Sequence, residues 1–282
     1  MNSPIQVAIQ GAKGSFHDIA ARLYFGNTIE TLSCDTFKES IDLVTQNPTI
    51  VGAIAIENTI AGSLLQNYNL LKDSDVRIIG EHKLRIKHSL VALEGQEIED
   101  IHEVRSHYMA LLQCEQFLSQ HPHIQLIEAE DTAKSAHKIA TSNQRGIAGI
   151  CYAETAKQFG LKILAEGIET NKHNFTRFLM VAHKDKAEQI TQKESCNKAS
   201  IVFSLPHEQG SLSKVLTILS FYNINLTKIQ SLPVIGHEWE YLFYIDLSFD
   251  NYMRYTQAID AIRPLIRNIK ILGEYTEGEQ TI

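Results

Sequence analysis

The sequence predicts an α/β protein in two parts, on three observations. Short apolar runs alternate with helical stripes as far as residue 183. A polar stretch, His183 to Lys198, follows with one large aliphatic residue. The remainder then reads β-α-β-β-α-β, the ferredoxin-like order. The expected boundaries are 1–183 for the first part, 184–198 for a linker and 199–282 for the second part.

Each element has a local reason. Ile5-Gln-Val-Ala-Ile9 is an apolar strand, and Gly11-Ala-Lys-Gly14-Ser15 turns the chain. Phe16, Ile19, Ala20 and Leu23 then recur at helical spacing. Val51–Ile56 reads as a second buried strand, and Leu64, Leu65, Tyr68 and Leu71 as a helical stripe. A strand over Ile86–Leu93 and a helix over Tyr108–Leu118 come next. Gln125–Ala129, Thr132–Thr141, Gly146–Ile150 and Tyr152–Phe159 continue the alternation, and Gly160 stands where a helix-ending glycine belongs. Phe178–Ala182 is the last strand of the first part. In the second part, Ser200–Leu205 is a strand and Leu212, Val215, Leu216 and Leu219 form a stripe. Ile224–Pro233 and Glu238–Ser248 are strands around a turn at Gly236. Tyr252–Ile262 is a helix and Arg267–Tyr275 a strand.

Composition excludes several classes. Of 282 residues, 44% are hydrophobic and 21% charged, a globular balance rather than a disordered or collagenous one. Lys and Arg number 26 against 33 acidic residues, a net charge of −7 without a long basic run, so no nucleic-acid partner is expected. No apolar run approaches the roughly 20 residues that cross a bilayer, so no membrane partner is expected. Cys34, Cys114, Cys151 and Cys196 are far apart, with no C-x-x-C, and none of the histidines has H-E-x-x-H spacing, so no metal is expected. The N-terminus has neither a basic nor an apolar leader region, which predicts a cytoplasmic protein.

In parallel α/β sheets ligands bind beyond the carboxyl ends of strands. Four segments therefore stand out. The Gly11–Ser15 turn opens a helix whose free N–H groups suit an anion, although it is neither G-x-G-x-x-G nor a Walker loop and on its own reads rather as a plain β–α turn. Glu57-Asn58-Thr59-Ile-Ala-Gly62-Ser63 ends the apolar strand and offers ligand hydrogen bonds or only a helix cap. Ser106-His107 could suggest a nucleophile and base, but neighbours on a strand face opposite ways and no G-x-S-x-G surrounds a serine. Asn174-Phe-Thr176-Arg177-Phe178 puts an arginine, suited to a carboxylate, at the start of a strand, where it could equally sit at an edge in water.

These segments in this order resemble the prephenate dehydratase family over nearly the whole chain. The resemblance rests on Gly11-Ala-Lys-Gly-Ser-Phe16 with Ala20-Ala21, on Glu57-Asn58-Thr59…Gly62, on Ser106-His107…Gln113-Cys114 and on Asn174-x-Thr176-Arg177-Phe178. The last third resembles a phenylalanine-sensing ACT domain in Ile224–Ile229, Trp239-Glu240 and Tyr241–Asp246. Tyr108-Met109, Thr170, Gly210-Ser211-Leu212 and Gln230-Ser231-Leu232-Pro233 depart from the family pattern. The last two bear on feedback rather than catalysis.

The resemblance implies a two-lobed, periplasmic-binding-protein-like catalytic domain, with lobes of about 1–80 plus 166–183 and 81–165, in a monofunctional enzyme without a chorismate mutase segment. It implies decarboxylating dehydration of prephenate to phenylpyruvate with no cofactor. Thr176 would donate to the leaving hydroxyl and Arg177 would read the side-chain carboxylate. Ser15, Asn58, Thr59 and Ser106 would bind substrate, and Phe178 would wall the ring or belong to the core. Gly210, Ser211, Leu212, Asn225, Leu226 and Ser231 would hold L-phenylalanine as an effector in a homodimer or homotetramer. Arogenate dehydratase and a non-catalytic amino-acid sensor are the alternatives.

Overall fold

The computed structural model describes residues 4–234 and 240–281. The expected turn at Gly236, the start of the Glu238–Ser248 strand and Trp239 lie outside the described residues. The chain begins β1 (Gln6–Gln10), α1 (Phe16–Phe25), β2 (Glu30–Cys34), α2 (Phe37–Gln46), β3 (Val51–Asn58), β4 (Gly62–Ser63), α3 (Leu65–Asp73) and β5 (Val76–Arg85). It continues with β6 (Ser89–Ala92), β7 (Glu103–His107), α4 (Tyr108–Gln113), α5 (Glu115–Leu118), β8 (Gln125–Ala129), α6 (Thr132–Ser142), β9 (Ile147–Cys151), α7 (Ala153–Gln158) and β10 (Lys162–Glu166). It ends with β11 (Phe175–His183), α8 (Lys184–Ile190), β12 (Lys198–Ser204), α9 (Ser211–Phe221), β13 (Asn225–Pro233), β14 (Tyr241–Ser248), α10 (Tyr252–Ile262), β15 (Arg267–Tyr275) and β16 (Gln280–Thr281).

Two sheets form two lobes. The first orders its strands β5-β11-β3-β1-β2, the second β10-β6-β9-β7-β8. β1, β2 and β3 are parallel, and β11 runs antiparallel between β3 and β5. Strands buried on both faces need apolar side chains throughout, and β3 supplies them: Val51 to Ile56 are all buried.

The chain crosses between lobes twice, after β5 and after β10. The first crossing falls near residues 86–88 rather than at 80, because β5 stays in register with β11 as far as Arg85↔Phe175. Most of the expected Ile86–Leu93 strand is β6 in the second lobe.

β5 carries no period-two apolar pattern, because Arg77, Glu81, His82, Lys83 and Arg85 interrupt it and a register shift at Ile79 puts Val76 and Ile78 in the core toward the C-terminal unit and Leu84 in the core of the other face. β2 likewise lacks a strong apolar pattern, whereas α2 carries a helical stripe, Phe37, Ile41 and Val44, that the expected elements leave out. The expected Tyr108–Leu118 helix breaks at Cys114 into α4 and α5. At the end of α7, Gly160 (φ +66°) is the left-handed residue, and Leu161 N–H reaches back to Ala156 O at 2.9 Å.

The segment expected to be a linker begins with a helix. Its polar residues face outward, while Ala187 of α8 is buried against the first lobe's core. Beyond it, β12, β13, β14 and β15 form an antiparallel sheet in the order β13-β14-β12-β15, the ferredoxin-like order, with α9 and α10 packed on one face around Phe203, Val215, Tyr255 and Ile259.

The opposite face is not free. Val202, Tyr244, Leu272 and Tyr275 share a core with Tyr68, Leu71 and Ile78 of the first lobe. Gly273 pairs with Ile78, and a Cβ there would stand 2.3 Å from Ile78 O, so only glycine lets β15 approach β5. No helix among the described residues is long and apolar enough to cross a membrane.

Candidate active site between the lobes

A cavity of about 270 Å³ lies between the lobes, where the ends of β1, β3, β7 and β11 converge. The first lobe contributes Ser15, His17, Asn58, Thr176 and Phe178, and the second contributes His88, His107, Gln113, Asp131 and Thr132. Two larger depressions, of about 570 and 880 Å³, lie beside β15 and beside α6 and draw on neither Thr176 nor Asn58. The interlobe cavity is the one with convergent polar groups in an apolar wall.

The glycine turn closes one side. Ser15 caps α1, its Oγ accepting from Asp18 N–H at 3.4 Å, while Asp18 Oδ2 accepts from Gly14 N–H at 2.9 Å. The Ser15 cap and the Asp18 carboxylate together tie the turn to the first turn of α1. The same turn touches the other lobe, where Thr155 Oγ1 donates to Gly14 O at 2.6 Å.

At the floor, a chain of amides has a fixed direction. Ile60 and Ala61 N–H donate to Asn58 Oδ1, at 3.0 and 2.9 Å, so Asn58 must present its NH₂ elsewhere. That NH₂ donates to Asn174 Oδ1 at 2.7 Å and to Thr176 Oγ1 at 2.9 Å. Asn174 then donates to Gln113 Oε1 at 3.0 Å, and His88 Nε2 meets the same oxygen at 2.9 Å. His88 therefore carries its hydrogen on Nε2, which leaves Nδ1 a buried acceptor without a protein partner. Burial lowers the pKa of His88, against the opposing pull of Gln113 and Glu169.

The decisive consequence concerns Thr176. Its oxygen already accepts from Asn58, so its own hydrogen is free to donate into the cavity. The side chain is buried and lines that cavity. His17 lies nearby, its Nε2 accepting from Ala55 N–H at 3.3 Å, and its ring meets Phe178 edge-on at 5.0 Å. Burial pulls the imidazole down to about 4, so it is neutral near pH 7.

Three expected site residues fall elsewhere. Arg177 points to the opposite face of the sheet, toward the C-terminal unit. It donates from Nε to Glu81 at 2.6 Å, from Nη1 to Asp246 and from Nη2 to Tyr275 Oη at 3.0 Å. Burial alone would lower its pKa, but Asp246, Tyr275 and Glu81 hold it well above the ordinary value. Thr59 spends its hydroxyl on the backbone, accepting from Phe175 N–H and donating to His173 O. Ser106 is buried in the sheet, donating to Ile150 O at 2.9 Å. Neither lines the cavity. Phe178 does both things open to it, lining the cavity and packing in the first lobe's core.

Gln113, His88, His17 and Asp131 were not singled out as site residues. Gln113 and Asn174 stood within the motifs noted in the sequence, but their roles need the fold that joins residues 61 positions apart. Among the cavity-lining residues none is lysine or arginine. Groups that could receive a carboxylate are the Thr176 hydroxyl, the His17 imidazole and the backbone at the starts of α1 and α6.

In the C-terminal unit, Gly210 (φ +78°) opens α9, and Ser211 and Leu212 form its first turn. The sheet register puts Ser231 opposite Phe243, at the same end as the Ser204↔Leu242 pairing that precedes this turn. Asn225 pairs with Ser248 at the other end. The strand between Leu226 and Ser231 spans roughly 17 Å at about 3.4 Å per residue. One copy of the chain thus separates the expected effector residues into two groups.

A hydroxyl with a free hydrogen, held by a directed amide chain in a cleft between α/β lobes, defines a two-lobed cleft enzyme with an appended βαββαβ unit. The chain belongs to the prephenate dehydratase family, a family of carbon–oxygen lyases: a family match covers residues 7–186. It is 36% identical to an arogenate dehydratase/prephenate dehydratase 2 of Arabidopsis thaliana, over 97% of this chain and 73% of that one. It is 34% identical to a bifunctional chorismate mutase/prephenate dehydratase of Aquifex aeolicus, over 99% and 75%.

Among solved structures, the Staphylococcus aureus prephenate dehydratase is similar with a TM-score of 0.82 at 26% identity, covering 96% of this chain and 100% of that one. The Arthrobacter aurescens prephenate dehydratase in complex with L-Phe gives 0.84 at 24% identity, over 97% and 90%. A chain described as a quorum-quenching acylase gives 0.85 at 24%, over 96% and 97%. The last two, below 25% identity, speak to the fold alone.

Proposed function

We propose that this chain converts prephenate to phenylpyruvate, carbon dioxide and water in the interlobe cavity. The ring C–carboxylate bond breaks, its electron pair completes the aromatic ring, and the C4–oxygen bond breaks to release hydroxide. Aromatisation drives the reaction, so the protein has to orient the substrate and assist the leaving group. Thr176 donates a hydrogen bond to the departing hydroxyl and keeps its proton, while the Asn58 amide holds the threonine oxygen; the released hydroxide takes its proton from solvent to leave as water. Positioned donation of this kind contributes about 10²–10⁴-fold, with orientation in the cavity adding to it.

The absence of a lysine or arginine among the lining residues suits the chemistry. A cation on the ring carboxylate would stabilise the ground state and oppose its loss. The observation that supports the reading is the Asn58–Thr176 hydrogen bond, in which the threonine oxygen accepts and its own hydrogen is left to donate.

Arogenate, with an ammonium in place of the keto group, is the second reading. It is favoured by Glu130 and Asp131 in the lining and by the plant relative's name.

The C-terminal unit reads as an ACT domain that binds L-phenylalanine. Because one copy separates Gly210, Ser211, Leu212 and Ser231 from Asn225 and Leu226, we read the effector site as completed by a second copy, in a homodimer or homotetramer. The exposed β13 edge is available for that pairing. Four buried free cysteines fit a cytoplasmic enzyme.

Phenylpyruvate formation from prephenate, followed by absorbance beside phenylalanine formation from arogenate, tests the reading. Turnover of either substrate is expected. A folded protein that turns over neither overturns it.

A further inference from the structure

β3 and β11 each show the cavity on one face and the C-terminal unit on the other. In their shared register Thr176 lies opposite Asn58, and Arg177 opposite Glu57. The first pair faces the cavity. The second pair faces two strands of the C-terminal unit, on which Lys228 and Asp246 are also opposite one another.

The two pairs meet as crossed ion pairs. Arg177 of β11 binds Asp246 of β14. Lys228 of β13 lies 2.8 Å from Glu57 Oε2 of β3 and 2.8 Å from Ser63 Oγ, over the Tyr68 ring. Supporting contacts fix the cluster. Glu81 takes Arg177 Nε on one oxygen and Lys198 Nζ on the other, at 2.6 and 2.7 Å. Ser200 Oγ bridges Asp246 Oδ1 and Tyr275 Oη, at 2.5 and 2.8 Å.

Buried ion pairs add little net stability compared with packed apolar residues. What this arrangement adds is geometry. Four charges on four strands permit one registration of the β3–β11 pair against the β13–β14 pair. Arg177 shares a peptide bond with Thr176, and Glu57 with Asn58, so a displaced anchor moves the donor pair itself.

Resting on the dehydratase reading, we propose that Arg177 and Lys228 are positioning residues, whose crossed ion pairs to Asp246 and Glu57 clamp the catalytic strand pair onto the C-terminal unit and hold the Asn58–Thr176 hydrogen bond in its working geometry. Neither residue touches substrate. The Asn225–Leu226 segment, two residues before Lys228 on the same strand, joins the expected effector site to this clamp.

The test is a charge exchange at the more exposed pair, with Glu57→Lys, Lys228→Glu and the double variant compared in the full chain. Each single variant is expected to lower kcat about ten- to a hundredfold at a KM within about threefold of wild type, the loss typical of small misplacement. Each single is also expected to speed amide exchange in peptides covering β3 and β11, and the double variant should restore both readouts.

Singles with unchanged kcat, or a double variant no better than the singles, overturn the clamp. Should the reversals fail to fold, Glu57→Gln and Lys228→Met replace them, and their double must then be no worse than either single; additive losses overturn the clamp. A wild type inactive on both prephenate and arogenate defeats the dehydratase reading instead. Exchange then decides the clamp alone, and unchanged exchange in the singles overturns it.

Discussion

Replacing Thr176 with valine separates chemistry from structure unusually well. Valine matches threonine in shape, so no cavity opens in the β11 face. Asn58 loses one acceptor at 2.9 Å but keeps Asn174 Oδ1 at 2.7 Å and Phe175 O at 3.2 Å, so its NH₂ is not stranded. The stability cost is then one neutral hydrogen bond, about 1 kcal/mol. For a chain of this size that is a fall in melting temperature of roughly 2–4 °C. Turnover behaves differently. Loss of a positioned donor removes about 10²–10⁴ in rate, which is about 2.7–5.4 kcal/mol of transition-state stabilisation. Phenylpyruvate absorbance should show kcat down by two or more decades with KM nearly unchanged, while calorimetric melting shows the small shift. Turnover within about threefold of wild type would refute the donor assignment. A kcat that holds while KM rises by the same decades would mean that Thr176 only binds.

Two further predictions test the scaffold. A Cβ at Gly278 would stand 1.8 Å from Glu81 O, and Gly278 N–H donates to Glu81 Oε1 at 3.3 Å, so Gly278→Ala should lift the C-terminal segment from β5. The expected loss is about 1–3 kcal/mol by urea titration, and an unchanged midpoint would contradict the close approach. His17 is held neutral by burial, from an ordinary 6.5 down to about 4. As pH falls through this window the unfolded chain binds the proton that the folded chain refuses. Its contribution is therefore intact above pH 6.5 and declines toward pH 4, by roughly 2–3 kcal/mol given a ring that edges the cavity. A His17→Gln variant should lose less stability than wild type between those pH values, and parallel curves would reject the assignment.

Much of the scaffold was legible because its signals are local. The apolar runs of β1, β3 and β9, the stripe of α1 and the left-handed glycine at 160 each declare themselves within a few residues. β5 did not. Its Glu81 is fully buried, and nothing near it in sequence says so, because the partners Arg177 and Lys198 are 96 and 117 residues away. α8 was read as linker for a similar reason, since one buried alanine is too small a signal to mark a packed face. The directed amide chain was half visible. Asn58, Asn174 and Gln113 all stood within recognisable motifs, but the direction of each amide follows from the Ile60 and Ala61 N–H groups that orient the first.

The misplacement of Arg177 follows from a rule that the sequence already contained. Adjacent residues of a strand face opposite sides. That rule argues against Ser106 and His107 acting as a pair, and the structure obeys it there: Ser106 turns into the sheet and His107 lines the cavity. Applied to β11, the same rule lets only one of Thr176 and Arg177 reach the cleft. Threonine at the cavity leaves arginine behind the sheet, and β3 repeats the choice with Asn58 inward and Glu57 outward. On the proposed reading the substrate carboxylate is received without a guanidinium, by hydroxyl, imidazole and amide N–H donors, since no lysine or arginine is among the lining residues. Such donors orient an anion without the strong ground-state pairing that a buried arginine would impose. The arginine of the motif is thereby free for the one task its position allows, which is to fasten the back of the catalytic strand.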